Sequence, residues 1–87
     1  MPQGRDQNRD FVRALANGLD VLAAFGPTPR ALTMAELADI TGQSRASTRR
    51  AVLTLVSLGY LSRDGRRLRL NPKVKELGNA VAPDQEN

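Results

Sequence analysis

The chain has 87 residues with a formal net charge of +4 and 40% apolar residues, enough for one small domain with a thin core and too little for two. It has no cysteine and no histidine, which removes disulfides, thiolate nucleophiles, the usual general base and the commonest zinc ligands. The polar start, MPQGRDQNRD, lacks the apolar stretch of a signal peptide, and no apolar run approaches membrane-spanning length, so the expected compartment is the cytoplasm.

In chain order, residues 1–9 are expected to be a flexible tail. A first helix is expected from Asp10, with Asp10 as its cap. Phe11, Leu15, Leu19, Leu22 and Phe25 recur at helical spacing and form its expected buried face, opposite Arg13, Asn17 and Asp20. Val12 and Val21 widen the apolar arc; they either complete the core or face a second subunit, and the pattern does not choose. Gly26 and the prolines of GPTPRA end this helix. Thr33 caps a short helix, MAELADIT, and Glu36 stands three residues on, at capping-box spacing. Met34, Leu37, Ala38 and Ile40 supply its buried face, and Gly42 ends it.

Ser44 caps a third helix running to Leu58, with Gly59 as its left-handed stop. Thr48, Ala51, Val52, Leu55 and Leu58 project to one side and are expected to be buried. Ala46, Arg49, Arg50 and Ser57 project to the other, with Arg45 and Ser47 at the flanks of the first turn. Leu53 also points outward, which a single core does not explain. Tyr60 and Leu61 then open a strand, Asp64-Gly65 signals a type I′ hairpin turn, and Arg67 to Leu70 alternate as a return strand. Asn71 and Pro72 start a last helix with Val74 and Leu77 as its apolar stripe. The expected division is a folded domain over 10–71, a linker helix from 72 to 80, and a disordered end at 81–87.

The charge is unevenly placed. Ser44 to Leu70 holds seven arginines and one acid, a local charge of +6, so the remainder carries −2. A short helix, a tight glycine turn and a longer helix make a helix-turn-helix, and the hairpin after it makes the motif winged. The expected fold class is therefore mainly α with a small β-hairpin wing. Ser44, Arg45, Ala46, Ser47, Arg49 and Arg50 occupy the reading end of the second motif helix. Small residues there permit close approach, and a guanidinium there can fork onto guanine O6 and N7. Arg63, Arg66, Arg67 and Arg69 decorate the hairpin, where a wing reaches phosphates or a narrow minor groove. Arg66 is expected at the tip, and Arg69 has the alternative of pairing with an acid elsewhere. Thr48, Thr54 and Tyr60 read as structural.

With 3% aromatics a binder built on stacked bases is disfavoured. The acids are scattered and no GxxxxGK[ST], GxGxxG or GxSxG motif occurs, so neither an enzyme nor a cofactor is expected. The expected partner is double-stranded DNA. The competing expectation is a winged helix that docks an acidic protein through the same arginine face.

The segments FVRALANGLDVLAAF, LTMAELADITGQSRASTRRAVLTLVSLGYL and DGRRLRLNPKVKELG together resemble the N-terminal winged helix-turn-helix domain of IclR-family transcriptional regulators. Within that family they are most similar to regulators of protocatechuate and hydroxybenzoate catabolism. The resemblance implies operator binding as a dimer, with the helix bearing Arg45 to Arg50 as recognition helix. It also implies that the first helix and the linker helix contribute to dimerisation, giving Val12, Val21 and Leu77 a use. Full-length members carry a C-terminal domain that binds a small-molecule effector; this sequence stops at Asn87, so it is expected to be either a fragment of a longer regulator or a natural short form, with an effector as partner only where such a C-terminal domain exists.

Overall fold

A computed structural model describes residues 10–79. The expectations for 1–9, for 81–87 and for Ala80 lie outside them. The elements are α1 (Arg13–Ala24), β1 (Leu32–Thr33), α2 (Met34–Thr41), α3 (Arg45–Leu58), β2 (Leu61–Asp64), β3 (Arg67–Leu70), a 3₁₀ turn (Pro72–Val74) and α4 (Lys75–Asn79). The three strands form an antiparallel sheet in the order β1-β3-β2. The helices pack against its inner face around Val21, Phe25, Leu37, Val52, Leu61 and Leu68. The fold class is the expected one, mainly helical with a β-hairpin wing.

Local chemistry sets the helix ends. Thr33 Oγ1 accepts the Glu36 amide at 3.1 Å, and Glu36 Oε1 accepts the Thr33 amide at 2.9 Å, a complete capping box at the start of α2. Ser44 Oγ accepts the Ser47 amide at 3.0 Å and caps α3. Asn71 accepts the Lys73 amide with Pro72 in the first position of the 3₁₀ turn.

Several expectations are corrected. α1 starts at Arg13, with Val12 in the cap position and extended, so Asp10 lies too far ahead to serve as its cap. The buried stripe of α1 is Val21 and Phe25, one turn apart, whereas Leu15 and Leu19 are 62% and 55% exposed. Val21 is therefore a core residue with no surface left for a second subunit. Four apolar positions on one stripe and two on the other exceed what a small core covers, and packing selects the Val21–Phe25 side. Ile40 and Leu58, expected inside, are exposed. The hairpin pairs Asp64 with Arg67, so its two turn residues are Gly65 and Arg66, one position later than Asp64-Gly65. Gly65 has φ 64° and takes the left-handed position. β1 was not anticipated, because two residues are too few for a periodic signal.

The exit of α3 is tied to the segment after the wing. Gly59 stops the helix at φ 90°. Lys73 Nζ donates to the Leu58 carbonyl at 2.8 Å and lies 4.9 Å from the centre of the Tyr60 ring. A Cβ on Gly59 would meet Lys73 Cδ at 3.4 Å in a backbone conformation that L-residues disfavour. Gly59→Ala is expected to destabilise the domain by about 1–2 kcal/mol. A melting temperature unchanged within error would contradict that strain.

Candidate nucleic-acid interface

α3 is held on one side by Thr48, Ala51, Val52 and Leu55, all buried. Thr48 is the sole polar member of the buried set among the described residues, and its hydroxyl is satisfied by donating to the Ser44 carbonyl at 2.9 Å. This anchored face fixes the helix rotation, so the opposite stripe of Ala46, Arg49, Arg50, Leu53 and Ser57 faces solvent. Arg45, Arg49 and Arg50 are exposed, with exposed Ala46 among them, as the spacing predicts. Ser44 is also exposed, and Ser47 is half-buried at the edge of the stripe. The start of α3 is braced from behind: Gln43 Nε2 donates to the Asn17 carbonyl of α1 at 3.1 Å, across the helix-turn-helix turn. No sequence pattern singled out Gln43, because its partner lies 26 residues away.

The register of the wing separates its arginines. Opposed residues of an antiparallel pair share a face. Leu61 opposes Leu70 and Arg63 opposes Leu68, and these define the inner face toward the helices. Ser62 opposes Arg69 and Asp64 opposes Arg67, and these lie on the outer face. Arg63 therefore extends the helix side of the hairpin beyond the core, and Arg66 sits at the tip. Arg69 lies on the outer side beside the Pro27–Arg30 segment, where both line a small hollow of about 220 Å³. Arg30 itself caps the end of α1, donating to the carbonyls of Phe25 and Ala24.

Among the described residues, the wing arginine that meets an acid is Arg67 rather than Arg69. Arg67 Nη1 lies 3.6 Å from Glu36 Oε1 and 3.4 Å from the Ala31 carbonyl. The Thr33 backbone hydrogen bond holds the Glu36 carboxyl below its ordinary pKa, and the Arg67 charge adds to this. Since the pKa is lowered on folding, the small stabilisation is complete above the ordinary carboxylate range and fades as pH falls through the lowered value.

A second feature adjoins the reading face. Val12, Leu15, Leu19 and Leu22 follow a 3-4-3 spacing along α1, the pattern of a helix–helix seam. Between this stripe and α3 runs a groove of about 500 Å³, floored by Leu22, Ala51 and Leu55 and edged by Leu15, Leu19 and Leu58. Arg50 lines its rim, so the groove and the arginine stripe share a border. Leu77 is half-exposed on α4, away from this groove.

Among the described residues no helix is long and apolar enough to cross a membrane, and no group of acidic side chains could hold a metal ion. The model of the IclR helix-turn-helix domain matches residues 14–65. The chain is 46% identical over 71 residues to the Pca regulon regulatory protein of Pseudomonas putida, covering 82% of this chain and 24% of that protein. It is 38% identical over 82 residues to the Pca operon regulatory protein of Acinetobacter baylyi, covering 88% of this chain and 30% of the relative. An IclR-family transcriptional regulator from Brucella abortus superposes with a TM-score of 0.79 at 39% identity, over 91% of this chain and 32% of that one. The chain thus spans 24–32% of the length of these relatives. With the helix-turn-helix, the wing and these matches in agreement, the chain belongs to the IclR family of DNA-binding transcriptional regulators and carries its helix-turn-helix domain.

Proposed function

We propose that this domain reads double-stranded DNA as a two-fold dimer, with the first two turns of α3 in the major groove. The observation that carries the reading is the anchored rotation of α3, which turns Arg49 and Arg50 outward on either side of Ala46. Arg45, Arg49 and Arg50 supply forked donors for guanine edges and phosphates, and Ala46 can contact a thymine methyl. Ser44 and Ser47 offer hydroxyls to phosphate or base edges, near a helix N-terminus that favours anions. Arg63 and Arg66 reach the backbone or the adjacent minor groove from the wing. Arg69 stands on the outer face and has at most a peripheral phosphate role.

The dimer in this reading forms through α1. Leu15 and Leu19 stand exposed on a 3-4-3 stripe beside an apolar groove, which suits an isologous contact with a second copy. Val12 belongs to that stripe. Such a pair places two reading helices about 34–36 Å apart on one side of the duplex. The compartment of this function is that of the chromosome, the cytoplasm.

Selection from a pool of random duplexes, followed by titration of the enriched sequence at several salt concentrations, tests this. Enrichment of a palindrome is expected, with log K falling steeply against log salt, by about 0.9 for each phosphate contact. Binding without enrichment would leave a basic module with no sequence reading. No binding at low salt would transfer the arginine face to an acidic protein partner.

A further inference from the structure

We infer that Arg67 is a positioning residue of the wing rather than one of its DNA contacts: it ties β3 to the start of α2 and so sets where the hairpin tip stands beside the reading helix. The inference rests on the DNA-binding reading above and assigns different work to two adjacent arginines, Arg66 and Arg67.

The tie is built from two contacts that converge on one carboxylate oxygen and a third made by the same arginine. Glu36 Oε1 accepts the Thr33 amide at 2.9 Å and lies 3.6 Å from Arg67 Nη1. The same Arg67 nitrogen lies 3.4 Å from the Ala31 carbonyl, just before β1. Thr33 is at once the last residue of β1, the cap of α2 and the cross-strand partner of Arg67. β1, β3 and the first turn of α2 are thereby joined at a single point. Arg67 is also the first residue after the turn, because its pair with Asp64 is the last before Gly65 and Arg66. A displacement of Arg67 moves the tip directly, with no intervening residue to absorb it.

The face of the sheet agrees with this assignment. Arg67 lies on the outer face with Ser62, Asp64 and Arg69, while Arg63 shares the inner, helix-side face. On that outer face the Arg67 guanidinium is engaged by Glu36 Oε1 and the Ala31 carbonyl. Besides the shared core of Leu37, Leu61 and Leu68, the start of α2 meets the wing through the β1–β3 pairing, which is two residue pairs long. A bridge between them therefore bears on the angle at which both meet the duplex.

The test uses the full chain and the enriched duplex, with affinity measured by fluorescence anisotropy across a salt series. Arg66→Ala is the reference: its salt slope is expected to fall by about 1. Arg67→Ala is expected to lower affinity about two- to fivefold, the range open to an exposed ion pair, with the slope unchanged. Glu36→Gln keeps the capping box, which accepts Glu or Gln, and is expected to show the same loss. The double variant is expected to lose no more than either single variant, since both remove one tie. A slope reduced by about 1 in Arg67→Ala, or additive losses, would overturn the inference and return Arg67 to the phosphate contacts. Arg67→Gln retains N–H donors for Ala31 and Glu36 and is expected to keep more affinity than Arg67→Ala at equal slope; equal loss in the two counts against positioning.

Failure of the parent reading shows separately, as absence of duplex binding by the unaltered chain. In that event the tie is still read by NMR without DNA. Amide resonances of Gly65 and Arg66 are expected to shift alike in Glu36→Gln and Arg67→Ala, and unmoved tip resonances would overturn the positioning role.

Discussion

Leu19→Asp is expected to give a folded domain that binds a palindromic operator no better than a single half-site. The fold should survive because Leu19 is 55% exposed and the buried side of α1 is carried by Val21 and Phe25. The helical cost of aspartate in an exposed interior position is within about 0.7 kcal/mol. At a two-fold contact the substitution acts twice, setting two carboxylates near the axis in place of two leucines. Burying unpaired like charges there is prohibitive. The loss of linked half-site binding corresponds to about 10²- to 10⁴-fold in affinity for the palindrome. Sedimentation and titration of palindrome against half-site measure it, with circular dichroism confirming the helix content. An intact dimer with undiminished preference for the palindrome would remove α1 from the interface. Leu77→Asp in the same assay reports the share of α4, whose Leu77 is not among the residues lining the α1–α3 groove.

Gly18 sharpens the same test. It lies inside α1, lines the groove, and has nothing within 4 Å of where a Cβ would stand. Alanine there should stabilise an isolated helical position by about 0.5–1 kcal/mol. If a second copy approaches closely at this point, the added methyl weakens the dimer while raising the melting temperature of the monomer. Opposite movement of the two quantities distinguishes a docking notch from an ordinary helical glycine.

The parts of this fold legible in the sequence are those written in local chemistry. Thr33 with Glu36, Ser44, Gly59 and Asn71-Pro72 each mark an end through contacts within four residues, and each end falls where its marker stands. The outward stripe of α3 was legible because its buried and exposed residues alternate cleanly at helical spacing. α1 was not, because both of its sides are apolar. Periodicity locates stripes but does not say which stripe the core takes; Leu15 and Leu19 look as buriable as Val21 and Phe25. β1, the Gln43–Asn17 brace and the Glu36–Arg67 bridge depend on distant partners and leave no local trace. The candidate site followed the same division. The arginines of α3 were legible from spacing, whereas the separation of Arg63 and Arg66 from Arg67 and Arg69 needed the strand register.

Arg49→Ala and Arg50→Ala are expected to narrow the gap between operator and random duplex, each by about 1–3 kcal/mol if its guanidinium forks onto guanine. Stability should hold, since both side chains are exposed and alanine is at least as good a helix former as arginine. The two substitutions are not equivalent. Arg50 lines the α1–α3 groove. Removing its side chain therefore disturbs the proposed subunit contact as well as the reading face, and its effect on a palindrome mixes two causes. Arg49 is exposed and absent from the groove lining. Its substitution changes only what meets the duplex, which makes it the cleaner measurement. For Arg49, equal losses on operator and random duplex, with a salt slope smaller by about 1, would identify a phosphate contact. Base reading would then fall to Arg45 and Arg50 around Ala46. For Arg50, comparison on a half-site duplex removes the dimer contribution, and a loss of discrimination that persists there belongs to base reading alone.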